Sequence, residues 1–158
     1  MFRTKSRRGF SLIELVIVVV IIAIIAAIAI PRMSRGAAGA TDSALSADLR
    51  TLRNAVDLYA QEHNGTYPTV AQIMANPGAL TAYTDDQGNI NATKTGNYIY
   101  GPYLRVIPGI PLGTEKGAGT FAASAAAGVG WVYDSTQGTV TANTGTLTDA
   151  KNKLYTAY

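Results

Sequence analysis

The stretch Gly9-Phe10-Ser11-Leu12-Ile13-Glu14-Leu15-Val16-Ile17-Val18-Val19-Val20-Ile21-Ile22-Ala23-Ile24-Ile25-Ala26-Ala27-Ile28-Ala29-Ile30-Pro31 organises the chain. From Phe10 to Ile30 there are 21 residues, and only Ser11 and Glu14 are polar. At about 1.5 Å of rise per residue, a helix of that length matches a hydrocarbon core of about 30 Å. Arg3, Lys5, Arg7 and Arg8 precede it with no acid among them. That asymmetry predicts a cytoplasmic N-terminus and transfer of the remainder across the membrane. Glu14 is the anomaly, because an ionised side chain inside a spanning helix costs about 2.5–3.5 kcal/mol at mid-membrane and less near an interface.

Three readings fit this segment. One is a signal anchor with Glu14 snorkelling to the cytoplasmic face. A second is a secretory signal, with Ala27-Ile28-Ala29 supplying a small-x-small cleavage pattern. Against the second, Leu15–Ile30 is 16 residues without a polar break, long for such a signal's core. The third comes from a resemblance. The short basic leader ending in Gly9, the run Phe10-Ser11-Leu12-Ile13-Glu14-Leu15 and the proline at Pro31 resemble the type IV pilin and type II secretion pseudopilin superfamily. The likeness covers the first fifth of the chain.

The resemblance implies cleavage between Gly9 and Phe10 by a prepilin peptidase, followed by methylation of the new Phe10 amine. It implies that Glu14 pairs with a Phe10 ammonium, usually on a neighbouring subunit, and that Pro31 is the break in the stem helix. It also implies a homo-oligomeric helical filament. Its partners would be the bacterial inner membrane, the pilus or secretion assembly platform and minor pseudopilins. The head would lie in the periplasm, and the filament there or at the cell surface. Such a pairing of Glu14 is physically favourable, since a carboxylate and an ammonium in low dielectric attract strongly and relieve each other's burial.

The expected organisation is a leader over 1–9, a transmembrane or filament-core helix over 10–31, a helical continuation over 32–64 and a head over 65–158. The 127 residues from Arg32 onward can bury a small core. The net charge of +3 is a topological signal: without residues 1–9, which hold four cations and no anion, it becomes −1. From Arg32 onward nine basic residues face nine acidic ones, so no nucleic-acid partner is expected. The chain has no cysteine, which excludes thiol chemistry and cysteine metal sites. Many type IV pilins close a C-terminal loop with a disulfide, so the lack of one favours the pseudopilin branch of the resemblance.

Behind Pro31, Gly36 and Gly39 each cost a helix about 1 kcal/mol relative to alanine, so helix over 33–41 is weakened. In related filaments the segment after the stem proline melts and stretches, and this composition suits that. From Asp42 the signal strengthens. Leu45, Leu49, Leu52, Val56 and Tyr59 form one apolar stripe, and Asn64-Gly65 supplies a stop. A short helix over 70–75 follows, with Thr69 as its N-cap and Asn76-Pro77-Gly78 as its end. The run Asn64-Gly65-Thr66-Tyr67-Pro68-Thr69 also resembles the point where major pseudopilins leave the long helix.

Farther on, Asn97-Tyr98-Ile99-Tyr100 reads as a strand, with Tyr103–Ile107 as a possible extension. Residues 113–130, rich in glycine and alanine, predict a mobile loop. Trp131-Val132-Tyr133 and Thr139-Val140-Thr141 predict a hairpin, and 144–158 is open between helix and coil. The fold class is α+β, pilin-like: a long N-terminal helix whose amphipathic half packs on a small antiparallel sheet.

Catalytic and cofactor signals are weak. His63 lies in the last helical turn, where it suits the C-terminal carbonyls. Ser43 has no visible base. Gly117–Ala122 fits a dinucleotide pattern but follows no hydrophobic strand. Asp85, Asp86 and Asn89 depart from calcium-loop spacing. Ile107-Pro108-Gly109-Ile110-Pro111 stands in place of the Asp-Pro-Trp-Gly that often precedes a calcium loop in major pseudopilins. No cofactor, metal or catalytic residue is therefore expected, and the expected role is structural. The resemblance implies a type II secretion pseudopilus subunit. A type IV pilin of a surface fibre for adhesion, motility or DNA uptake is the alternative, and a non-polymerising anchored or secreted binding domain lies outside both.

Overall fold

The computed structural model describes residues 9–149 and 151–158, without the side chains of 29–38. The leader ahead of Gly9 therefore lies outside the described residues. The chain divides into two compact units, Met1–Ala38 and Gly39–Tyr158. One helix, α1 (Leu12–Glu62), contributes to both. Pro31 falls within its bounds, and the Pro31 side chain is outside the described residues.

In the first unit every large apolar side chain of α1 from Leu12 to Ile28 is exposed. Among the described residues of the unit nothing covers this surface, so it presents apolar area to its surroundings all round the helix. Among the described residues no helix is long and apolar enough to cross a membrane.

In the second unit the apolar stripe is buried as its spacing predicts: Leu45, Leu49, Leu52, Val56 and Tyr59 are each at most 2 % exposed. Asn64 and Gly65 both take positive φ, 56° and 79°, and the Gly65 N–H donates to Ala60 O at 2.8 Å, closing the helix. Tyr133 donates its hydroxyl to Pro68 O at 2.9 Å, tying the exit turn to the sheet. Helix α2 (Val70–Met74) starts in a capping box: Thr69 Oγ1 accepts from the Gln72 N–H, and Gln72 Oε1 accepts from the Thr69 N–H.

Two small sheets complete the head. Strands β1 (Tyr83–Thr84) and β2 (Ile90–Asn91) pair antiparallel. The second sheet has the order β3 (Phe121–Ala122), β4 (Trp131–Asp134), β5 (Thr139–Ala142). The β4–β5 hairpin is the one expected from sequence, with Trp131, Tyr133, Val140 and Ala142 turned into the core. Its turn holds Gly138 at φ +69°, where a Cβ would meet the Tyr67 ring at 2.3 Å.

Three expectations need correction. The sheet is mixed, because β3 runs parallel to β4 in the register Phe121↔Trp131. Residues 113–130 are not a loose loop. Phe121 is buried in the core and edge-on to Tyr133, and the Gly130 backbone lies so close that a Cβ there would sit 2.0 Å from Ala118 O. Asn143 Nδ2 adds bonds to Ala126 O and Val129 O. Asn97–Tyr100 forms no regular strand: a turn at Thr95–Tyr98 bends it, and only Tyr100 bridges to Thr84.

The C-terminal segment is a strap rather than a free tail. Thr148 bridges to Leu154, a 3₁₀ turn follows (Tyr155–Ala157), and the buried Tyr155 donates its hydroxyl to Asp42 on α1. Arg53 donates from Nε and Nη2 to Val140 O and from Nη2 to Tyr158 O, so one guanidinium holds β5 and the strap against α1.

Candidate processing and assembly site

Gly9 and Phe10 precede α1 in irregular chain, and Phe10 is 81 % exposed. The helix starts immediately after Ser11. The Leu15 N–H donates to Ser11 O at 3.2 Å, and the Ser11 N–H donates to Glu14 Oε2 at 2.8 Å. The second bond is one half of a capping box, in which the N3 acid reaches back to the N-cap amide. The sequence reading missed this role for Glu14. The signal was present as Ser11-x-x-Glu14 at the head of an apolar run. The described geometry thus places Gly9, Phe10 and Glu14 within six residues at one helix end, with Glu14 exposed. Its carboxylate accepts the amide of Ser11, the residue that follows Phe10.

Residues 4–30 carry a prokaryotic N-terminal methylation motif. It is the description of the family model that matches there, and it covers about a sixth of the chain. The motif is a prepilin-type leader and is consistent with a type IV pilin-like or pseudopilin-like protein. No curated protein and no solved structure matches the chain. The methylation motif and the geometry meet on the same residues: the matched segment contains the Gly9–Phe10 bond, the capping Glu14 and the exposed apolar helix.

The polar groups of the head are built into its turns. His63 is 4 % exposed, its Nδ1 donates to Tyr59 O at 2.7 Å, and its ring stacks on Tyr59 at 3.8 Å, so it caps α1. Ser43 donates to Gly39 O within its own helix. Asp85 folds its loop: Oδ1 accepts from the Gln87 and Asn89 N–H groups and Oδ2 from Asn89 Nδ2. Among the described residues no group of three His, Cys, Asp or Glu side chains is placed to hold a metal ion.

The Asn89 side chain, followed by the loop's backbone amides, holds the Asp85 carboxyl below its ordinary value. Asp149 is lowered too, first by the Tyr158 hydroxyl and then by the Lys153 amide. A depressed carboxyl contributes stability above its unfolded pKa of about 3.9, and that contribution disappears as pH falls through the folded value. The head is therefore expected to lose thermal stability on acidification below about pH 4. Asp85→Ala should flatten that loss when unfolding is followed by circular dichroism across a pH series; an unchanged pH slope would contradict it.

Proposed function

We propose that this chain is the precursor of a filament subunit whose role is structural rather than enzymatic. The observation that carries the reading is the methylation motif over 4–30, set on an uncovered apolar helix with Glu14 near its start. Prepilin peptidase would cleave after Gly9 and methylate the Phe10 amine. The stem from Phe10 to Ile30 would anchor the precursor in the inner membrane, with the leader cytoplasmic and the head periplasmic. Assembly would then bundle the stems, with Glu14 meeting a Phe10 ammonium of a neighbour and setting axial register. Pro31 would break the stem helix. Assembly would also engage a platform and minor subunits.

Within this class we favour a major-type pseudopilin of a type II secretion system. The chain has no cysteine for a C-terminal disulfide, and Asn64–Thr69 has the form of the turn at which such subunits leave their long helix.

Intact-mass and N-terminal peptide spectrometry of membranes tests the processing step. The mature chain is expected to begin at Phe10 and to carry one added methyl group. A chain beginning at Ile30 would mean secretory cleavage, and a chain retaining Met1 beside an active prepilin peptidase would mean a plain anchor. Deleting the gene is expected to trap exported proteins in the periplasm while surface fibres persist. Normal export with lost surface fibres would replace the pseudopilin by a surface pilin.

A further inference from the structure

The part of α1 within the head has two unlike flanks beside its buried stripe. Asp48 and Arg50 are two residues apart, hence about 200° apart around the helix. On the Arg50 side, Ser46, Leu49, Arg50, Arg53, Lys153 and Tyr158 line a cleft of about 310 Å³ with no carboxylate side chain among them. Arg53 is turned to the carbonyls of Val140 and Tyr158, and Lys153 lies 4.5 Å over the Tyr158 ring. Arg50 also lines an adjoining cleft of about 540 Å³ with Lys151 and two acids, Asp42 of α1 and Asp149 of the strap, which accept the hydroxyls of Tyr155 and Tyr158. Asp57 is the remaining acid on this flank and is exposed.

On the opposite flank Asp48 is half-buried, with the small exposed side chains Ala44 and Thr51 beside it and Glu62 farther along. Burial alone raises the Asp48 carboxyl above its ordinary value, with no cation or hydrogen-bond donor to offset it. Among the described residues neither Asp48 nor Arg50 has a hydrogen-bond or ion-pair partner. A half-buried acid without a partner lowers the stability of its own subunit.

We infer that these flanks are two halves of one contact between copies: Asp48 of one subunit enters the Arg50–Lys153 cleft of the next. The inference rests on the filament reading above and adds a contact between heads to it. Charge complementarity identifies the occupant as a second copy. The small side chains around Asp48 allow close approach of another helix. Because the two patches lie on opposite flanks, the contact is heterologous, and repeated with a rise along the filament axis it builds an open helical array rather than a two-fold dimer.

Charge reversal in the full, processed chain tests this. Asp48→Arg and Arg50→Glu should each lower sheared polymer yield about tenfold, since like charges at an interface are costly. The combined swap should restore most of it. The chain's lack of cysteine allows a second readout. Coexpressed Asp48→Cys and Arg50→Cys chains should form a disulfide-linked dimer that neither forms alone, and the double variant in one chain should form a ladder. Asp48→Asn separates assembly from folding: it should leave the thermal stability of the head equal or higher while lowering polymer yield.

Wild-type yield from both reversals, no recovery in the combined swap, or no crosslink would overturn the contact. If Glu14→Ala abolishes polymer while these variants do not affect it, the filament reading stands and this contact falls. Absence of polymer from the wild type would overturn both. Loss of binding to phosphatidylglycerol vesicles in Arg50→Glu, with polymer yield unchanged, would assign the cleft to anionic lipid instead.

Discussion

Glu14→Ala is expected to reach the membrane at wild-type level, to be cleaved after Gly9, and to yield no polymer. Near the interface of a lone subunit, water and headgroups still reach the carboxylate, so the acid is tolerated there. If the stems bundle in the proposed filament, that solvent is lost, and an unpaired buried charge would cost about 3–5 kcal/mol. An ammonium from a neighbouring Phe10 would remove most of that penalty, and only in the correct axial register.

The structure adds a second role that the test must separate. Glu14 also accepts the Ser11 amide at 2.8 Å, so alanine removes a helix cap worth about 1 kcal/mol. Glu14→Gln keeps an acceptor for that amide and removes the charge. Glutamine is therefore expected to keep the helix start and still fail to assemble. Glu14→Asp, shorter by one methylene, should assemble poorly. Crosslinking or shear recovery of polymer is the measurement, with membrane level and N-terminal sequence as controls. Wild-type yield from Glu14→Gln would show that the cap alone matters, and wild-type yield from Glu14→Ala would remove the pairing argument altogether.

Trp131→Ala should leave the head largely unfolded at 37 °C. The side chain is fully buried in the core that joins the α1 stripe to β4, and Nε1 donates to Pro108 O at 2.8 Å. Truncating a buried tryptophan costs about 3–5 kcal/mol in transfer and cavity energy. Leaving the Pro108 carbonyl without its donor adds about 1–3 kcal/mol if water does not reach it. Domains of this size hold about 5–15 kcal/mol in all, so most of the margin is lost. Trp131→Phe keeps most of the ring volume and loses the hydrogen bond, and should be destabilised by less. Denaturant unfolding of the detergent-solubilised chain, read by far-ultraviolet circular dichroism, gives both values. A loss below about 1 kcal/mol for Trp131→Ala would mean that the strand packs elsewhere.

Local chemistry made several features legible in advance. Thr69 and Gln72 form the α2 cap because a hydroxyl and an amide three residues apart satisfy each other's backbone amides wherever the helix lies. Leu45, Leu49, Leu52, Val56 and Tyr59 announce a buried helix face because their period is that of the helix itself. The β4–β5 hairpin follows from two alternating runs around a turn sequence. The motif around Gly9 and Glu14 is likewise linear, and a single family model over 4–30 finds it.

Other features depend on partners distant in sequence. Phe121–Ala122 sits in glycine- and alanine-rich sequence with no period of its own, and becomes a strand only because β4 offers its edge and Phe121 fills the core beside Tyr133. Residues 144–158 carry no helical or strand pattern. They are placed by Tyr155 reaching Asp42, 113 positions earlier, and by Arg53 reaching Tyr158. By itself, the sequence determined the apolar stem, the processing motif, the amphipathic helix and the hairpin, since each is encoded within about twenty residues by period or spacing. Tertiary structure alone decided the mixed sheet, the strap and the unpartnered charges at Asp48 and Arg50. Burial and hydrogen bonding between remote segments are set by packing, which no local window of sequence contains.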